Sequence, residues 1–238
     1  MALGLAVSTA PLPAHAPPPP LPDYTQLPQV KAALDTEVAA APSDAERIQR
    51  DIHRGQVLAN YRDPTDAKAS YKAALAIARR RYADIPRALQ TGRDLRTALN
   101  ALGTFDEGSD HDAALACFRE GLQIARSLVA ADHDSDAANR DLVWSLFLLG
   151  NLETVYIKDD RAALVAFREE LDISRAMLNR YPKTDVTRYV WHDQVAFALD
   201  RLAGVPGSGV SFNDGYKERI LRDADMKAHG FADPTYID

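Results

Sequence analysis

Along residues 111 to 131 the apolar side chains fall on two adjacent helical stripes. Ala114, Phe118, Leu122, Ala125 and Val129 follow the i, i+4, i+7 spacing of one helix face, and Cys117, Gly121, Ile124 and Leu128 form a second row beside it. Two rows on one helix mean burial against two neighbours. The chain writes this helix three times: "YKAALAIARR" at 71 to 80, "FREGLQIARS" at 118 to 127 and "FREELDISRA" at 167 to 176. Tyr71, Phe118 and Phe167 are equivalent, 47 and 49 residues apart. Each is preceded four residues earlier by alanine (Ala67, Ala114, Ala163) and followed by Leu at +4, Ile at +6 and Arg at +8.

A second element repeats in register with the first. "DLRTALNALG" at 94 to 103 matches "DLVWSLFLLG" at 141 to 150, and "QVAFALDRLA" at 194 to 203 is a weaker copy displaced by 53. The added residues fall in the turn "NRYPKTDVTRY", where extra length costs little. The pattern predicts helices over 44–60, 64–83, 87–104, 111–131, 137–156, 160–180, 187–203 and 214–228. Asp63-Pro64, "GSDHD" and "KDD" supply N-caps and acidic first turns. Pro86 and Pro182 stand where the repeated helices must stop. One helix pair cannot cover two stripes alone, whereas stacked copies bury them continuously.

Ala-x3-Phe in the second helix, Leu102-Gly103 and Leu149-Gly150 in the first, and a proline after the pair resemble the tetratricopeptide repeat. The longer period is similar to a long bacterial variant of that family, whose next helix opens with an aromatic and Arg-Asp-Leu. Arg93-Asp94-Leu95, Arg140-Asp141-Leu142 and Trp191 match it. The resemblance implies an all-α fold: an antiparallel helix-pair solenoid wound as a right-handed superhelix, with about 3–4 repeats over residues 44–204. It implies a protein or peptide partner and supplies no catalytic residue. On its register Thr97, Asn100, Thr104, Trp144, Phe147, Asn151 and Asp200 line the concave face. Asn100 and Asn151 are then the polar contacts to a peptide backbone, and Trp144 and Phe147 are either aromatic anchors or core. Self-association is the alternative function, and "YKERILRDADMKAHG" reads as a polar end cap that opposes open-ended stacking. Arg79 precedes Asp94, and Arg126 precedes Asp141, by the same 15 residues, which suggests an ion pair in each repeat or two exposed charges that never meet.

Composition narrows the alternatives. A net charge of -6 and the lack of any basic cluster beyond "ARRRY" at 78 to 82 speak against a nucleic-acid partner. The single cysteine, Cys117, rules out an internal disulfide and sits on an apolar stripe, as a small buried hydrophobe would. No apolar run reaches the length of a membrane span. "DHDSD" at 132 to 136 lacks the Gly and Glu that a calcium loop of that spacing requires, so capping is expected, and no metal or cofactor. Gly207-Ser208-Gly209 lacks the Gly-Lys-Ser/Thr of a phosphate loop. Residues 205–238 read as a flexible loop, a C-terminal capping helix and a tail.

The first residues differ in kind. "MALGLAVSTAPLPAHA" carries no charge over residues 1–16 and closes on Ala14-His15-Ala16, resembling a truncated export signal and its cleavage site. Residues 17–43, opening with "PPPPLP", read as a Pro/Ala-rich disordered linker. The expected location is periplasmic or secreted, with the cytoplasm as the alternative if residues 1–16 are only an Ala/Pro-rich tail.

Overall fold

The computed structural model describes residues 23–86 and 88–231. The described residues form helices and contain no strand. After a 3-10 turn at Tyr24–Gln26 come α1 (Leu27–Ala39), α2 (Asp44–Asn60), α3 (Pro64–Asp84), α4 (Leu89–Asp106) and α5 (His111–Ala131). Then follow α6 (Asp136–Leu152), α7 (Asp160–Arg180), α8 (Val186–Ala203) and α9 (Phe212–Ala228). A π-helical turn, Glu153–Ile157, continues α6 and ends on Lys158 in the left-handed region, φ 64°. Each helix packs chiefly on the next, and first helices also meet across repeats, α2 with α4 and α4 with α6. No described helix is long and apolar enough to cross a membrane.

Apart from Ser43, the caps are those the sequence announces. Ser43, Asp63, Asp110, Ser135 and Asp159 each accept a backbone N–H of the first turn they precede. α2, α5 and α7 have the expected bounds. Within "DHDSD" Ser135 is the cap of α6, the Asp132 carboxylate accepts from the Asp134 amide inside the turn, and Asp134 holds Arg180 at 2.9 Å. The expected cleavage site, with residues 1–16, lies outside the described residues.

One region corrects the sequence reading. Residues 27–39, expected to belong to a disordered linker, form α1. Pro28 sits in its first turn, where a missing N–H costs nothing. Leu34 is buried, and Leu27 and Val30 pack against the core of α2, α3 and α4. Their i, i+3, i+7 row makes a narrow apolar seam that an Ala- and Pro-rich composition conceals. Lys31 ties this helix to Asp63, the cap of α3, at 3.0 Å, and also to Asp66.

The pairs α2–α3, α4–α5 and α6–α7 are closed by one device. A Cβ on Gly55, Gly103 or Gly150 would stand 2.7, 2.6 and 2.5 Å from the rings of Tyr71, Phe118 and Phe167 respectively. The repeated aromatic therefore packs directly on the glycine of its partner helix, which explains both motifs together. Gly55 extends the rule to α2 and α3. α9 follows another part of the pattern: Gly215 abuts Asp200 and Ala196 as Gly121 abuts Asn100 and Arg96.

The repeated arginines have other partners than expected. Arg79 pairs with Glu120 and Arg126 with Glu169, each at 2.6 Å, joining second helices of successive pairs. Asp94 is held by Arg81 and by Gln90, and Asp141 by Arg93 and Arg96 at 2.8 and 2.6 Å. The aspartates are buried on first helices, while Arg79 and Arg126 point outward from second helices. Equal spacing along the chain thus joined residues on different surfaces.

Candidate functional site

Between α2, α4 and α6 lies an open groove of about 800 Å³. α2 contributes Gln56 and Asn60, α4 contributes Thr97, Asn100 and Thr104, and α6 contributes Trp144 and Leu148. Tyr71 and Phe105 form part of its wall, their ring centroids 5.3 Å apart. These side chains share a face because first helices of successive pairs stand side by side, so i, i+3/i+4, i+7 positions on each point the same way.

Four of the seven residues assigned from sequence meet here: Thr97, Asn100, Thr104 and Trp144. Trp144 is 50% exposed, its ring tilted on Phe147 with centroids 5.0 Å apart. Asn100 is buried, and its Oδ1 faces Gly121 without a hydrogen-bond partner. Arg96 is also in the groove wall, but its Nη2 donates to Asp141 Oδ1 at 2.6 Å. Burial draws the Arg96 guanidinium below its ordinary value, and the Asp141 carboxylate counteracts this.

The other three lie elsewhere. Phe147 is half-buried under the guanidinium of Arg201, 4.0 Å from its ring centroid, and packs into the core on both sides of α6. Asn151 is half-buried two turns beyond Trp144 and does not line the groove. Asp200 accepts from Arg219 of α9 and abuts Gly215. The face of α8 that would extend the groove is therefore occupied.

Beside it lies a pair the sequence reading missed. Glu170 of α7 is completely buried and accepts from Arg201 Nη1, while its second oxygen, Oε2, has no partner. Burial raises the Glu170 carboxyl to about 7, against the opposing pull of Arg201. A signal for this pair did exist. Glu170 stands three residues after the repeated aromatic, where the other copies have Ala74 and Gly121, and Arg201 stands where they have Ala101 and Leu148. Ala101 and Leu148 line the groove, so a large charged side chain at the third copy ends it.

The other polar clusters are structural. His192 Nδ1 lies 2.6 Å from Glu218 Oε1 and clamps α9 to α8. Burial raises the Cys117 thiol above its ordinary value, which leaves it a poor nucleophile. Among the described residues no three His, Cys, Asp or Glu side chains converge as metal ligands would. No protein-family model matches the chain, and no curated protein matches it.

Proposed function

We infer that the chain is a non-catalytic scaffold of the tetratricopeptide-repeat type that binds a protein or peptide on the concave face of its stacked helix pairs. The observation that carries this reading is the groove itself: first helices from three successive pairs converge on it with Thr97, Asn100, Thr104 and Trp144. A half-exposed indole in a concave, partly polar setting is the kind of side chain that anchors an interface. On the pattern of residues 1–16 the scaffold acts outside the cytoplasm.

The test is photo-crosslinking in cells of the source organism, with the crosslinking residue at position 144 and, as a control, at position 165 on α7, also exposed. A discrete adduct from 144 and none from 165 supports the reading. Equal adducts, or none from 144, sink it.

A second reading, self-association, is favoured by one observation. Phe212, Tyr216 and Ile220 form an i, i+4, i+8 stripe on the outward side of α9, 64%, 60% and 49% exposed. The expected polar cap is thus apolar along one side, and a second copy is the occupant this reading assigns to it. Sedimentation velocity of the native chain and of Ile220→Glu decides: a concentration-dependent dimer abolished by the substitution supports it, and a monomer in both removes it.

A further inference from the structure

Glu153 of the π-helical turn and Asp106 of α4 hold equivalent positions, each three residues after the glycine that seats the repeated aromatic. Both are buried, Asp106 1% and Glu153 5% exposed. Asp106 finds its counter-charge within the chain: the Lys68 ammonium, reaching over from α3, pairs with it at 2.8 Å. The residue equivalent to Lys68, three before the next repeated aromatic, is Leu115 on α5. Leu115 brings no charge, and no side chain among the described residues donates a hydrogen bond to the Glu153 carboxylate. A buried carboxylate in that condition favours any ligand that pairs with it.

Where the lysine is missing, there is space. A cavity of about 500 Å³ opens between α5, α6 and α7, with Glu153 in its wall and Leu122, Leu146 and Val165 among its apolar lining. It lies on the other side of α6 from the groove, since Leu146 and Glu153 project opposite to Trp144 and Leu148. The other charges of the wall are already placed or face water. Arg126 pairs with Glu169 at 2.6 Å, and Asp159 Oδ1 accepts the Ala162 amide as the cap of α7. Arg119 and Arg161 are exposed, so water and salt screen them. Burial raises the Glu153 carboxyl above its ordinary value; Arg119 opposes this without forming an ion pair, and Asp159 adds to it.

We propose that this cavity is a binding site for a small primary alkylamine, whose ammonium donates to Glu153 and whose carbon chain lies on Leu122 and Leu146. The chain displays the same chemistry one repeat earlier, where an ammonium on an alkyl stem meets Asp106. A free small molecule is the occupant, not a lysine of another protein. The cavity is within the range of whole-ligand sites, about 300–1,000 Å³, and a single side chain would leave most of it empty. The site does not depend on what the groove binds.

The test titrates 1-aminopentane into the full chain by calorimetry at neutral pH, with 1-pentanol as the uncharged control. The same titrations are run on Glu153→Gln, which removes the charge, and on Leu115→Lys, which supplies an ammonium from the chain as Lys68 does for Asp106. Saturable one-to-one binding of the amine is expected, at least tenfold tighter than that of the alcohol. It should weaken at least tenfold in each variant that remains folded by circular dichroism. Leu115→Lys should also raise the thermal midpoint of the amine-free chain, a readout that stands even if Glu153→Gln does not fold. If the alcohol binds as tightly as the amine, the cavity is merely apolar and the proposal is overturned. Unchanged amine binding in either folded variant overturns it as well, as does no binding of the amine up to millimolar concentration.

Discussion

Glu170 of α7 holds Arg201 of α8, and Arg201 in turn covers the ring of Phe147 at 4.0 Å. This chain of contacts crosses three helices and closes the groove on one side. The carboxyl of Glu170, raised to about 7 from 4.5, makes it titrate with folding. Between those two values the folded chain keeps a proton that the unfolded chain releases, so stability falls as pH rises through the window and levels off above it. Each tenfold gain in proton affinity corresponds to about 1.4 kcal/mol, so the fall is on the order of 3 kcal/mol at most. Chemical denaturation of the native chain and of Glu170→Gln at pH 5 and pH 8 checks this. The expected outcome is a pH-dependent loss in the native chain that the substitution removes; parallel profiles would contradict it.

Gly150 faces two opposed effects. Alanine in a helix interior is favoured over glycine by about 1 kcal/mol. Yet a Cβ there would lie 2.5 Å from the Phe167 ring, with no room to yield inside the core. Overpacking of this kind costs about 1–3 kcal/mol, so packing wins. Gly150→Ala should lower the thermal midpoint, whereas Gly108→Ala, in a turn with nothing within 4 Å, should not. A stabilised Gly150→Ala would refute the glycine–aromatic contact.

The two tryptophans separate core from site. Trp191 is fully buried and its Nε1 donates to Asp136 Oδ1 at 2.7 Å. Trp191→Ala is expected to cost about 3–5 kcal/mol. Trp144 is half-exposed, and Trp144→Ala should cost much less, about 1 kcal/mol. Urea unfolding of both variants reads the difference, and equal losses would make Trp144 a core residue.

The outer ion pairs should matter little. Arg79–Glu120 and Arg126–Glu169 join exposed side chains, and pairs of this kind contribute about 0–1 kcal/mol. Glu120→Gln is therefore expected to shift stability by less than about 1 kcal/mol, and added salt should erase that shift. A larger, salt-resistant loss would show that the pair sets the stacking of the second helices.

Helix positions were legible in the sequence because they rest on local rules. The 3.6-residue period, the Ser and Asp caps and the prolines fixed eight helices within a few residues, since each signal acts over a turn or two of chain. The repeat also brought Thr97, Asn100, Thr104 and Trp144 to one face, because equal positions in stacked copies share an orientation. α1 was hidden because its seam of Leu27, Val30 and Leu34 becomes a stripe only against α2 and α3.

What the tertiary structure alone decided concerns partners between copies. Arg79 and Asp94 recur at one spacing, yet they point to different layers, and only the packing reveals that Glu120 and Arg81 are their counterparts. Phe147 and Asp200 hold positions equivalent to Asn100, but Arg201 and α9 cover them. The sequence determined how each helix pair is built, through residues that repeat. Where the groove stops depended on Glu170, Arg201 and Gly215, whose effect comes from the space between helices, which no spacing along the chain specifies.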